Sequence, residues 1–174
     1  MRAGPRTRNT TLHLGAGEDR YAATMSLESD IAILRKVRLF DELQTDQLRL
    51  LAFGAEHRRL RAGEFVFRES ARADAGFVIA SGEVALIHGR GEDARVLSRH
   101  GPGTLLGELC LITETTRPAS ARTETDCEMI RISRPLFRRM LEEYPEFTAA
   151  LHQRIRDELE AMLADIERLE GRFS

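Results

Sequence analysis

A glycine, a glutamate and an arginine fall within one short segment, Gly107-Glu108-Leu109-Cys110-Leu111-Ile112-Thr113-Glu114-Thr115-Thr116-Arg117-Pro118-Ala119-Ser120. Gly107 has no Cβ, so a ligand can come close to its backbone. A short helix starting at Glu108 would aim its first amides, near Leu109 and Cys110, at an anion. Nine residues further on, Arg117 is expected to open a strand. Its planar guanidinium offers a phosphate two parallel donors. A phosphate would repel Glu108, so that carboxylate suits a hydroxyl. Glu108 accepting from a sugar hydroxyl while Arg117 holds a phosphate is the chemistry of ribose phosphate recognition. The plainer alternatives are a first-turn glutamate stabilising a helix dipole and a solvated arginine, one of 25 in the chain.

Other chemistry finds less support. His57, His88 and His100 are scattered, with no His-x-His pair, and read as surface or structural side chains rather than metal ligands. Cys110 and Cys127 lack Cys-x-x-Cys spacing and fall in apolar segments, as buried core thiols do. No Gly-x-x-x-x-Gly-Lys loop is present. The expectation is a protein without catalysis, metal or resident cofactor. With 26 basic residues against 28 acidic ones, a net charge of −2 argues against binding nucleic acid by bulk electrostatics. No run approaches the roughly 18 apolar residues of a membrane span. Two cysteines make no disulfide scaffold, and a reduced, cytoplasmic compartment is the plain reading.

The elements that must position this segment follow from periodicity. Residues 1–25 show no apolar period and no signal-peptide core, and are expected to be a disordered leader. Ser26 or Ser29 caps a first helix with Ile31, Leu34 and Val37 on one face. Thr45 caps a second helix carrying Leu48, Leu51 and Ala52, with Phe53 tucked inward at its end. From His57 the period changes to two: Leu60, Phe65 and Phe67, Phe77 to Ile79, Val84 and Leu86, Val96 with Leu97, Ala119–Thr123 and Cys127–Ile132 read as short strands. Glycine-bearing turns separate them, which predicts an antiparallel sandwich or barrel. Ser133 caps a helix that stops near Tyr144-Pro145. In the last segment Ile155, Leu159, Met162, Ile166, Leu169 and Phe173 recur at four and three residues, a heptad seam. The fold class is therefore mainly β with flanking helices. A β-roll with its N-terminal helices would span 26–145, and a lid or dimerisation helix 146–174.

The Gly107–Ser120 segment resembles the phosphate-binding cassette of cyclic-nucleotide-binding domains, as in catabolite activator protein, protein kinase A regulatory subunits and cyclic-nucleotide-gated channels. Arg38-Leu39-Phe40, Gly63-Glu64, Phe77-Val78-Ile79 and Gly82-Glu83-Val84 extend the likeness over about Ile31 to Leu169. The resemblance implies a double-stranded β-helix, jelly-roll-like, with N-terminal helices and two C-terminal ones. It implies a ligand site of Gly107, Glu108, Leu109, Cys110, Arg117, Pro118, Ala119 and Ser120. Gly107 and Leu109 would offer backbone, Glu108 would take the ribose 2′-hydroxyl and Arg117 the cyclic phosphate. Cyclic AMP is the expected ligand, with cyclic GMP the alternative; the lid would read the base through His152, Arg154 or Arg156. There are two departures from the pattern. Pro118 stands where an amide usually meets the phosphate, and proline has none. Cys110 replaces a small alanine. Relatives that act on DNA carry a winged helix after the long helix, and the chain ends five residues after Leu169, so no DNA partner is expected. The expected role is a stand-alone sensor that regulates an unidentified protein partner through its last helix, with a homodimer through residues 155–173. The rival is a scaffold of the same fold that binds no nucleotide, which Pro118 favours; a cupin-like metal enzyme is a weaker third reading.

Overall fold

The computed structural model describes residues 26–171; the expected leader, residues 1–25, and Phe173 lie outside them. Helix α1 spans residues 26–34 and buries Ile31 and Leu34, with Val37 buried just beyond it, the face expected from their spacing. A single 3₁₀ turn, Arg38–Phe40, buries Leu39 and Phe40. Helix α2, Thr45–Gly54, packs Leu48, Leu51 and Ala52 inward. Its N-cap is Gln44 rather than Thr45: the Gln44 amide donates to Gln47 Oε1 at 2.9 Å, and the Thr45 hydroxyl accepts from Arg35 Nη2 at 2.9 Å. Phe53 does not tuck inward but stands 83% exposed, because each residue turns the helix by about 100° and Ala52 already holds the inner face.

Ten strands follow among the described residues. One antiparallel sheet runs β1 (Glu56–Leu60), β10 (Cys127–Ser133), β4 (Ala75–Ser81), β7 (Leu105–Leu106). The other runs β2 (Phe65–Phe67), β9 (Ser120–Thr123), β5 (Val84–His88), β6 (Arg95–His100). A small ladder joins β3 (Arg72–Ala73) to β8 (Thr115–Thr116). Apart from the β5–β6 hairpin, sequential strands fall in different sheets, the winding of a jelly roll. The unbroken apolar run Phe77-Val78-Ile79 has a direct cause. Phe77 and Ile79 pack between the sheets with Met129, Val84 and Ala121, whereas Val78 faces the helices with Ile130 and Ile132. A strand covered on both faces needs no polar alternation. Strand β6 stands where Val96 and Leu97 read as a strand, with both side chains turned to solvent, 44% and 60% exposed. Its inward positions are Ser98 and His100, opposite Leu86 and buried Val84.

The connection between β7 and β8 contains α3, Glu108–Ile112. After β10, Ser133 caps α4 (Arg134–Glu143), its hydroxyl accepting from the Leu136 amide at 3.3 Å. Pro145 ends that helix and begins α5, Pro145–Glu170, whose 26 residues span about 39 Å. Phe147 and Leu151 anchor it in the helical core, Arg154 reaches the Arg38 carbonyl at 2.7 Å and Asp41 Oδ1 at 2.6 Å, and every residue from 156 to 169 is exposed.

Candidate functional site

Arg117 lies between β8 and β9 rather than inside a strand, yet its backbone is held as in one. Its amide donates to the Ala71 carbonyl and its carbonyl accepts from the Ser70 amide, both at 2.8 Å. The side chain then turns into the roll and is only 4% exposed. Nη2 donates to the Ala75 carbonyl at 2.6 Å, Nη1 lies 3.7 Å from Cys110 Sγ, and the guanidinium stacks 4.1 Å from the centre of the Phe67 ring. Nε is buried without a partner. Among the described residues no carboxylate pairs with it; Asp74 acts only at longer range and is paired with Arg131 at 3.5 Å. Burial consequently pulls the Arg117 pKa down, against the weaker lift from Cys110 and Asp74. Holding a cation this way costs several kcal/mol.

Gly107 makes this placement workable. It adopts φ +81°, and a Cβ there would meet Arg117 Nη1 at 2.4 Å, so only glycine leaves room for the guanidinium. Glu108 opens α3 and is exposed, as is Leu109. The Cys110 amide is spent on the Gly107 carbonyl at 3.3 Å, and its thiol donates to the same oxygen at 2.7 Å. Both cysteines are free and buried, and burial pushes the Cys110 thiol above its ordinary pKa despite the neighbouring Arg117. Arg134, at the start of α4, donates through Nε to the Cys110 carbonyl at 2.6 Å and through Nη2 to the Ala73 carbonyl. It thereby joins α3 to α4.

These groups share one cavity of about 360 Å³, within the range of small-molecule sites. Gly107, Glu108, Leu109, Cys110, Arg117, Pro118 and Ala119 all line it. Ser120 does not: its hydroxyl accepts from the Glu69 amide at 2.8 Å, on the other side of β9, and fixes the loop before Ser70. Phe67, Leu86, Leu105 and Leu106 form apolar walls, with Thr104 and His100 as polar interruptions. A concave, largely apolar chamber with one unpaired cation suits an anion attached to a flat apolar body.

The cyclic nucleotide-binding domain pattern matches residues 57–144, slightly more than half of the chain. The chain belongs to the cyclic nucleotide-binding domain family. A cyclic nucleotide-binding-like protein from Brucella abortus is 48% identical, with 65% of this chain and 97% of that one aligned at a TM-score of 0.60. Catabolite Activator Protein of Thermus thermophilus is 28% identical over 74% of this chain and 62% of its own, at 0.59. Among curated proteins, a lysophospholipase of Emericella nidulans is 30% identical over 135 residues, 75% of this chain. The chain spans 9% of that protein's length. The domain is a regulatory fold, and the likeness to the lysophospholipase runs through it.

Within this domain, sequence reasoning missed the groups that hold Arg117 from strands β2 and β4, namely the Phe67 ring and the Ala75 carbonyl. It also passed over His100, whose inward position follows from its two-residue spacing to Ser98. The expected base readers lie elsewhere: Arg154 is tied to Asp41 and Glu42, His152 and Arg156 are exposed, and no residue of α5 lines the cavity. Among the described residues no cluster of three metal-ligating side chains occurs and no helix is long and apolar enough to cross a membrane.

Proposed function

We propose that this domain is a cyclic-nucleotide sensor that takes cyclic AMP, with cyclic GMP as the alternative, and acts on a protein partner in trans without catalysis of its own. One observation carries the reading: among the described residues, Arg117 is a buried charge met by a carbonyl, a thiol and two aromatic rings, with no carboxylate paired to it. A cyclic phosphate seated on it would supply the missing countercharge in a low-dielectric site, where such a pair is strongest. Glu108, at the exposed first position of α3, would accept from the ribose 2′-hydroxyl, and the apolar walls would take the base. Pro118 removes one backbone donor, which favours the scaffold reading, but a retired pocket gains nothing from an unpaired buried cation.

The output is assigned to α5. Leu159, Met162, Leu163, Ile166 and Leu169 are all more than half exposed, as is Leu109 on the cavity rim. A helix that covered the rim when nucleotide is bound would withdraw this seam from a partner or a second copy, giving each ligand state its own surface. Calorimetric titration of nucleotide-stripped protein with cyclic AMP and cyclic GMP, with Arg117→Ala alongside, tests the reading. Micromolar or tighter binding that the variant loses is expected; equal binding by both proteins, or binding by neither, overturns it.

A further inference from the structure

The cavity that holds Arg117 has a second polar wall. Of the three histidines in the β-roll, His57 is engaged by Asp30 at 2.8 Å and His88 by Glu69 at 2.7 Å. His100 meets no carboxylate among the described residues; its Nε2 lies 2.8 Å from Ser98 Oγ, and the ring lines the cavity. Ser98 and His100 face the same way from the edge strand β6, opposite Leu86 and Val84 of β5. Leu86 lines the same cavity and Val84 is fully buried, so this is the inner face of the roll.

Distance separates the roles of Arg117 and His100. His100 pairs with Val84 of β5, which pairs with Thr123 of β9, six residues along the chain from Arg117, so the two side chains enter the cavity they both line from well-separated positions. Between them the lining is chiefly Phe67, Leu86 and Leu105, which suits the faces of a purine. His100 adds an imidazole to that lining, with Thr104 a further polar group.

We propose that His100, with its ring fixed by Ser98, hydrogen-bonds the polar edge of a purine base and is a specificity-determining residue of this domain. The inference rests on the cyclic-nucleotide reading. Ser98 uses one ring nitrogen and leaves Nδ1 for the ligand. Because a serine hydroxyl both donates and accepts, the pair can present Nδ1 as a donor to N7 or O6, or as an acceptor from a 6-amino group. The base is thus read from the β-roll, independently of where α5 lies.

The test compares cyclic AMP with two analogues, its 7-deaza form and the cyclic phosphate of unsubstituted purine riboside, on the full chain. Wild type, His100→Leu, Ser98→Ala and Arg117→Ala are titrated with each. One analogue is expected to bind wild type about three- to ten-fold more weakly than cyclic AMP, the loss of one neutral hydrogen bond. The same ratio falls to near one in His100→Leu and shrinks in Ser98→Ala, while Arg117→Ala loses all three ligands together. Ratios identical in wild type and His100→Leu overturn the inference while leaving the sensor reading intact. Should His100→Leu bind nothing, an unchanged ratio in Ser98→Ala overturns it and a reduced one supports it. No binding of any nucleotide by wild type overturns both readings together.

Discussion

At the scale of single residues, Arg117 makes affinity and stability pull in opposite directions. Truncation to alanine is expected to weaken cyclic nucleotide binding by about 2–4 kcal/mol, as a buried phosphate loses its countercharge. Arg117→Met, which keeps the stem and drops the charge, should lose the ligand equally. It should also raise the unfolding free energy of the unliganded protein by about 1–3 kcal/mol in urea denaturation, since an unpaired buried cation is replaced by an apolar chain. A fall in stability would mean that the Ala75 carbonyl and the Phe67 face already compensate the charge. Glu108→Ala should cost about 1–3 kcal/mol of binding and erase any preference for ribose over 2′-deoxyribose ligands, read by parallel titration. Gly107→Ala places a methyl group on Nη1 of Arg117 in a backbone conformation that alanine resists, and should abolish detectable binding at micromolar ligand. The cassette was legible in the sequence because its chemistry is local: Gly107, Glu108 and Arg117 sit within eleven consecutive positions. The groups around Arg117 were not. Ala75 is 42 residues away and Phe67 fifty, brought near by strand pairing that no local pattern records.

At the scale of elements, α5 and β6 show where pattern reading succeeds and where it stops. The 3.5-residue seam of α5 predicted its helix, and the helix is there. Its partner was not legible, because a heptad stripe states that something apolar is wanted without naming it. Asp165 is met by Arg168 on its own helix at 2.7 Å, so its charge is balanced before any partner helix approaches. Met162→Glu, in the middle of the seam, should shift the protein toward monomer in sedimentation velocity while nucleotide affinity in dilute solution stays within about two-fold; an unchanged sedimentation coefficient would remove self-association through α5. Strand β6 was legible as a strand, but the way it faces was not. An edge strand leaves apolar Val96 and Leu97 in solvent and turns its polar pair inward, the reverse of what alternation suggests. Turns were easier. The Ser81-Gly82 turn joins β4 to β5 with Gly82 at φ +92°, where a Cβ would meet the Asp126 carbonyl at 2.4 Å. Gly82→Ala is expected to destabilise the fold by about 2–3 kcal/mol in the same denaturation assay.

For the whole molecule, the two cores divide the work. The inter-sheet core, with Phe77, Met129 and Val84, sets the cavity, while the helical core, with Phe40, Phe137 and Phe147, seats α4 and α5 against the outer face of one sheet. Strands β4 and β10 belong to both, so the site and the helices share one scaffold. Nucleotide at a hundred times its Kd should raise stability by about 2.7 kcal/mol. Arg134 adds a direct link, since one side chain from the start of α4 grips the last turn of α3 by its carbonyl. Thermodynamics makes such a link run both ways: whatever factor a nucleotide imposes on the grip at α5, a protein gripping α5 must impose on the nucleotide. If copies of the chain meet through α5, the cavity will not have a single affinity. Its apparent Kd for a nucleotide would drift with the concentration of the protein itself, and the domain would register its own abundance along with its ligand.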